Sequence, residues 1–200
     1  MGRHTARRSR PALLRVRAVL AGALVLGVGA TITLAAWTDS EYATSGFTAS
    51  VFGLVGDSGS GFAEHPTTAT AAQLTFSTGA GAMSPGSIVH GRLDVRTTAA
   101  STVGGNVALS SSTPGGASAI TNNLTYRVAV VDTATTCASA AYSGTPVAAS
   151  SVFSPAAGTV AAAAGNVRRF CFEVRLATST PNNAQGQSGT ITWQVTGTSN

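Results

Sequence analysis

The feature that most constrains the fold is a two-residue alternation of apolar and polar side chains, which recurs in five segments of the chain. In the C-terminal segment, Ile191, Trp193 and Val195 alternate with threonines and Gln194. Such alternation is typical of β-strands that have one buried and one solvated face. The same pattern occurs in four further segments, residues 73–77, 89–96, 124–130 and 170–176. The folded part of the chain is therefore predicted to be all-β.

Clusters of glycine, proline and serine separate these segments, as expected for turns. Residues 47–55 are apolar on both faces and are predicted to form a strand buried on both sides. The alanine-rich residues 156–165 are predicted to be a loop or an edge strand. About seven or eight short strands favour a two-sheet antiparallel sandwich of jelly-roll or immunoglobulin-like type. We expect a single sandwich domain over residues 36–200.

The N-terminus has the pattern of an export signal. Arginines are concentrated in residues 3–17, and residues 18–38 carry no charge. Thr33 and Ala35 place small side chains at the −3 and −1 positions of a cut between Ala35 and Ala36. The sequence thus predicts a signal peptide over 1–35 that forms a helix in the cytoplasmic membrane before cleavage. The uncharged run is also long enough to remain as a membrane anchor, which stays an alternative.

The basic character of the chain belongs to this leader. The sequence has 12 arginines and no lysine, and six of the arginines precede residue 18. Without residues 1–35 the chain keeps six arginines and all seven acidic residues, a formal charge of −1. A basic nucleic-acid-binding surface is therefore not predicted, and contact with the membrane is expected only through the leader.

Four sequence motifs resemble one family of exported proteins. They are the leader with the mature start at residues 27–41, the segment Phe47-Thr48-Ala49-Ser50, which resembles a first mature strand, the turn Met83-Ser84-Pro85-Gly86-Ser87, and the closing strand at residues 183–195. Together they resemble the TasA/camelysin family, and specifically its actinobacterial branch. The resemblance implies release by a SipW-type signal peptidase and a role at the cell surface or in the extracellular biofilm matrix. It also raises the alternative of a secreted, camelysin-like metalloprotease.

The residues after the predicted cut suggest how such a protein would assemble. Cleavage frees a β-prone arm, residues 36–55, which could add a strand to the sheet of a second copy and build a homopolymer. The alternative is that residues 47–55 pair within their own sandwich. The sequence thus favours a structural or interaction protein rather than an enzyme.

The two cysteines, Cys137 and Cys171, are most simply a disulfide in an exported chain. Cys171 lies on the polar face of its predicted strand, so the bond is expected outside the main core. Two unpaired thiols remain the alternative.

Catalytic and cofactor motifs are not found, and no catalytic, cofactor-binding or metal-ligating residue is predicted. His65 follows Glu64 but has no second histidine at the spacing of a metalloprotease helix. The polar face of the segment 89–96 carries His90, Arg92, Asp94 and Arg96. These four could form a ligand site, although a solvated outer sheet face is the favoured interpretation. The glycine-rich residues 56–61 lack the lysine of a phosphate-binding loop.

Overall fold

A computed structural model describes residues 11–32, 39–77 and 79–200. The chain divides into two units, Met1–Phe47 and Thr48–Asn200. The described residues of the first unit, 11–32 and 39–47, contain one helix, α1 (Pro11–Ile32), whose side chains from residue 12 to residue 26 are exposed. None of the helices in the described ranges is both long enough and apolar enough to cross a membrane. The predicted cleavage site, Ala35 and Ala36, lies outside the described residues.

The second unit is predominantly β. Its described residues, 48–77 and 79–200, contain one short α-helix, α2 (Ser118–Thr121), and eight strands: β1 (Leu54–Asp57), β2 (Ile88–Thr97), β3 (Gly105–Gly116), β4 (Leu124–Val131), β5 (Val147–Ala148), β6 (Ala157–Val160), β7 (Arg168–Leu176) and β8 (Gly189–Ser199). They form two antiparallel sheets. One has five strands in the order β1-β2-β7-β4-β5, and the other has three in the order β6-β3-β8. The predicted all-β character of the folded unit and its antiparallel pairing are confirmed.

One hydrophobic core contains residues from both sheets. Tyr126 on β4 and Phe170 and Phe172 on β7 are fully buried, and so is Val107 on β3. The ring centroids of Phe172 and Trp193 lie 4.4 Å apart and join β7 of the larger sheet to β8 of the smaller one. The alternation predicted from the sequence therefore assigns the inward faces of β2, β4, β7 and β8 correctly.

The turn before β2 follows from its sequence. Pro85 and Gly86 occupy the two central positions, and the N–H of Ser87 donates to the carbonyl of Ser84 at 2.9 Å. Gly86 has a φ of +87°, which a type II turn requires at its third residue and which glycine adopts without steric cost. The turn directly precedes β2, which begins at Ile88.

The predicted strand at residues 47–55 is wrong for most of its length. Phe47 is 93% exposed, and regular pairing begins only at Leu54, which lies opposite Thr97. Between them, Val51 and Gly53 are held by hydrogen bonds to the loop at residues 98–102 instead of by a strand. An apolar sequence forms a buried strand only where a neighbouring strand is there to pair with it. Here only the four residues of β1, Leu54–Asp57, pair with β2.

Two further sequence predictions differ from the structure, and one is confirmed. The segment 73–77 forms only an isolated bridge between Phe76 and Gly91 rather than a strand. β3, which was not predicted, runs through the Pro-Gly sequence expected to break structure. It tolerates Pro114 because β6 pairs only with Gly105–Ala108, so β3 has no partner on that side at Pro114. β6 is an edge strand, as one of the two predictions for residues 156–165 stated.

Candidate functional site

The outer face of the five-stranded sheet gathers most of the charged side chains of the second unit. The register of β2, β7 and β4 aligns His90, Glu173 and Arg127 in one row across the sheet. A second row places Asp94 opposite Arg169, and Cys171 lies between the two rows. Two charged clusters therefore flank one buried cysteine.

Glu173 is the centre of the first cluster. Its carboxylate accepts two hydrogen bonds from Arg127, at 2.9 and 3.0 Å, and one from Arg175 at 2.7 Å. His90 Nε2 lies 3.7 Å from the same carboxylate. Burial alone would raise the pKa of Glu173, but the hydrogen bonds from Arg175 and Arg127 outweigh it and hold that pKa below its ordinary value. Glu173 is thus a buried anion stabilised by two guanidinium groups.

Asp94 is the centre of the second cluster. Arg169 binds it through both Nε and Nη2, at 2.7 and 2.8 Å, and Arg92 Nη1 donates at 2.7 Å. Arg169 also donates to the carbonyls of Thr133 and Thr135. The hydrogen bond with Asp94 raises the pKa of Arg169 above its ordinary value. This bidentate pair is the strong form of an arginine–carboxylate contact.

A loop covers the two clusters, which corrects the favoured interpretation of this face as solvated. Residues 132–146 follow β4, and Cys137 in this loop is bonded to Cys171. The predicted disulfide is confirmed, and it lies on the polar face of β7 as expected. Tyr142 donates from its hydroxyl to the carbonyl of Cys137 and accepts a hydrogen bond at its own carbonyl from Arg127. Burial, with the nearby charge of Glu173, raises the pKa of Tyr142.

The four side chains on the polar face of β2 do not form a single cluster. His90 lies by Glu173, whereas Arg92 pairs with Asp94. Arg96, at the far end of the strand, stacks over the ring of Phe62 at 3.9 Å from its centroid. The carboxylates of this face are each bound by at least two cations, so the arrangement is suited to stabilising the fold.

The adjacent arginines at the start of β7 have separate roles. Arg169 belongs to the Asp94 cluster, whereas Arg168 lies on the opposite face of the strand. Arg168 pairs with the exposed Asp132 and donates to the carbonyl of Thr159 on β6. The two arginines thus contact different layers of the second unit.

The glycine-rich loop after β1 binds its own carboxylate. Asp57 Oδ1 accepts hydrogen bonds from the backbone N–H groups of Gly59 at 2.6 Å and Gly61 at 2.9 Å. The bond from Gly59, despite some desolvation, lowers the pKa of Asp57. The N–H groups that would face a phosphate in a phosphate-binding loop are here directed at Asp57.

His65 and His90, the two histidines of the second unit, lie in different surroundings. His65 Nδ1 is 2.7 Å from the carbonyl of Thr70, and His90 lies on the charged face. Within residues 11–32, 39–77 and 79–200, no three His, Cys, Asp or Glu side chains come together in a group that could hold a metal ion.

The arm that precedes β1 displays apolar side chains. No helix or strand is formed between residue 39 and residue 53. Tyr42 is 96% exposed, Phe47 93% and Val51 51%. Among contacts with described residues, the long-range hydrogen bonds of the arm lie near its C-terminal end, where Val51 and Thr102 exchange hydrogen bonds and the N–H of Gly53 donates to Ser101.

β8 offers a free sheet edge. It is 11 residues long and pairs with β3 along one side. Among the described residues, residues 190–199 make no backbone hydrogen bond to any segment other than β3. Unpaired edges of this kind are sites where another strand can add.

Comparison with known proteins gives no assignment. No protein-family model matches this sequence, and a search of curated proteins finds no significant match.

Proposed function

We propose that this chain is an exported structural or interaction protein of the cell surface or extracellular matrix. In this proposal the second unit is a jelly-roll or immunoglobulin-like sandwich, and a SipW-type signal peptidase removes the leader between Ala35 and Ala36. The Cys137–Cys171 disulfide supports a location outside the reducing cytoplasm. The arginine-rich start and the uncharged run that follows it support export.

The observation that carries the proposal is the exposed apolar arm. Tyr42 and Phe47 expose nearly their entire surfaces, which is unfavourable in water unless a partner covers them. Their backbone belongs to no helix, so no regular structure has to be broken before a strand forms on a second copy. The free edge of β8 supplies a row of main-chain donors and acceptors that suits strand addition. We therefore propose head-to-tail assembly of the arm of one copy on β8 of the next.

Electron microscopy and size-exclusion chromatography test this assembly with protein that starts at Ala36. The wild type should form filaments as its concentration rises, and deletion of residues 36–46 should leave monomers. Phe47→Asp should also prevent assembly, because a charge cannot be buried against a sheet. Val152→Asp is the matched control, since Val152 is an exposed hydrophobic residue outside the arm. Wild-type protein that stays monomeric at every concentration, or filaments that survive the deletion, would contradict the proposal.

Mass spectrometry of the native N-terminus tests the cleavage step separately. A mature protein that begins at Ala36 supports release by a signal peptidase. A chain that retains residues 1–35 would contradict release and would favour the membrane-anchored alternative.

A further inference from the structure

The outer face of the five-stranded sheet buries its acids more deeply than its bases. The side chains of Asp94 and Glu173 are 6% and 7% exposed. Arg92 and Arg175, which each contact one of these carboxylates, are 39% and 37% exposed. Solvent at these two clusters therefore meets guanidinium groups, while the carboxylates lie beneath them.

The charges of the second unit are also unevenly distributed. The strands of this face carry five arginines and three acids, a formal charge of +2 with histidine neutral: Arg92, Arg96, Arg127, Arg169 and Arg175 against Asp57, Asp94 and Glu173. The other charged residues of the second unit, Glu64, Asp132 and Arg168, sum to −1. A positive face is thus present that the total charge of the chain does not reveal.

Arg96 adds a third cation to this face. It is half-buried and makes no ion pair with the described residues. Its guanidinium stacks on the ring of Phe62 at 3.9 Å from the centroid, which holds the group in place without neutralising its charge. Arg96, Arg92 and Arg175 are called the cationic stripe below.

The spacing of the cationic stripe selects a linear partner. Arg96 lies four residues from Arg92 on β2, and Arg175 lies opposite Ile88, four residues further along. At about 3.3 Å per residue, neighbouring members are about 13 Å apart along the strand direction. A compact anion reaches one of these groups, whereas an extended polymer with repeated oxyanions reaches all three. The planar fork of arginine binds phosphate and carboxylate oxygens alike.

Two loops border the cationic stripe and disfavour a flat partner. On the side of β4, backbone carbonyls in the loop at residues 132–146 accept hydrogen bonds from Arg127 and Arg169. On the side of β1, the loop that follows this strand carries Phe62 onto Arg96. A membrane surface would meet these loops before the stripe, whereas a single extended chain can lie between them.

We propose that the cationic stripe binds a linear polyanion, a polymer whose repeating units carry phosphate or carboxylate groups, in an extended conformation along β2. Arg92 uses Nη1 for Asp94, and Arg175 uses Nε for Glu173, so both keep further N–H groups for the polymer. The site lies on the five-stranded sheet. It does not require assembly through β8, which belongs to the smaller sheet.

Binding to polymers of defined chemistry tests the proposal. The full chain is used with the six arginines before residue 18 replaced by glutamine, because that basic segment would itself bind a polyanion. The probes are fluorescently labelled inorganic polyphosphate and poly-glutamate, and fluorescence anisotropy measures their binding. We expect saturable binding that weakens as salt is added, and the tighter probe identifies the preferred oxyanion. Orthophosphate at the same phosphate concentration should compete roughly a hundred-fold less well, because it makes one contact at a time.

Variants separate the cationic stripe from a general effect of net charge. Arg92→Gln and Arg175→Gln each leave the buried carboxylate bound by its other arginine. Each should weaken binding roughly ten-fold and lower the slope of log affinity against log salt by about 1. Arg168→Gln is the matched control, since it removes the same charge from the opposite face of β7. Near-ultraviolet circular dichroism shows that each variant is folded.

Three results would overturn the proposal. The first is that the folded protein binds neither polymer saturably, including the case in which it binds vesicles of anionic phospholipid instead. The second is equal weakening by Arg92→Gln and Arg168→Gln, or orthophosphate that competes as well as the polymer. The third is polymer binding only after residues 36–46 are deleted. In that case the chain's own acidic arm, which carries Asp39 and Glu41, would be the occupant of the stripe.

Discussion

Glu173 is the residue whose charge the fold depends on most directly. Its side chain is 7% exposed and is bound by Arg127 and Arg175. Glu173→Gln keeps the shape but removes the charge and leaves two guanidinium groups without their anion. We expect the free energy of unfolding to fall by about 3 kcal/mol, as is typical when one partner of a buried ion pair is removed. Urea denaturation measures this loss.

Asp132 provides the matched control for that substitution. It pairs with Arg168, but its side chain is 76% exposed. Water already solvates the Asp132 carboxylate, so Asp132→Asn should change the free energy of unfolding by less than about 1 kcal/mol. Equal effects of the two substitutions would show that burial does not decide the strength of these pairs.

A lower pH should destabilise the protein through protonation of Glu173. The pKa of Glu173 is lower in the folded protein than its ordinary value of about 4.3, so the folded state binds fewer protons than the unfolded chain. The stabilisation is therefore complete above the unfolded pKa and is lost as the pH falls through the folded pKa. Unfolding free energies measured between pH 7 and pH 3 should decline with acid in the wild type and decline less in Glu173→Gln. An identical decline in both proteins would exclude Glu173 as the titrating group.

At the scale of elements, the disulfide holds the loop at residues 132–146 against β7. It joins residues separated by 34 positions, so the chain-entropy estimate gives it roughly 3–4 kcal/mol of stabilisation. Replacing Cys137 and Cys171 together by alanine should lower the free energy of unfolding by about that amount. Hydrogen exchange should also quicken at Tyr142, which the loop carries over the charged face. Unchanged exchange there would mean that the ion pairs alone hold the loop.

Gly91 lets the segment between β1 and β2 pack its Phe76 ring against β2. A Cβ atom at this position would lie 2.9 Å from the ring of Phe76, closer than van der Waals contact allows. Gly91→Ala should displace that ring and lower the free energy of unfolding by about 1 kcal/mol, as overpacking does. Gly81 lies in the same segment with no atom within 4 Å of such a Cβ, so Gly81→Ala should leave stability unchanged. A similar loss in both variants would point to the segment's backbone rather than to Phe76.

The elements also show where sequence patterns stop being informative. β2, β4, β7 and β8 were predictable because each has a continuous inward face. The segment 47–55 is as apolar as they are, yet Phe47 remains exposed because no neighbouring strand extends that far. β3 contains serines, Pro114 and a bulge after Leu109, and together these hide its alternation of apolar and polar side chains. Strand formation in these cases depends on the partner, which local sequence does not specify.

At the scale of the whole second unit, the two sheets share one core. Phe172 and Trp193 are in ring contact across it, so neither sheet keeps its buried face without the other. We therefore predict one cooperative unfolding transition. In the Trp37→Phe protein, urea curves from Trp193 fluorescence and from far-ultraviolet circular dichroism should coincide. Phe172→Leu should shift both curves to the same lower midpoint, and separate midpoints would show that the sheets unfold independently.

The sequence by itself determined which side of β2, β4, β7 and β8 is buried, and that Cys137 and Cys171 are the two residues able to form a disulfide. The alternation does this because successive side chains of a strand point to opposite sides. Only the tertiary structure decided the register of β2 against β7 and of β7 against β4. That register brings Glu173 between His90 and Arg127, and it depends on pairing between residues far apart in the chain. It also decided that a loop covers the charged face.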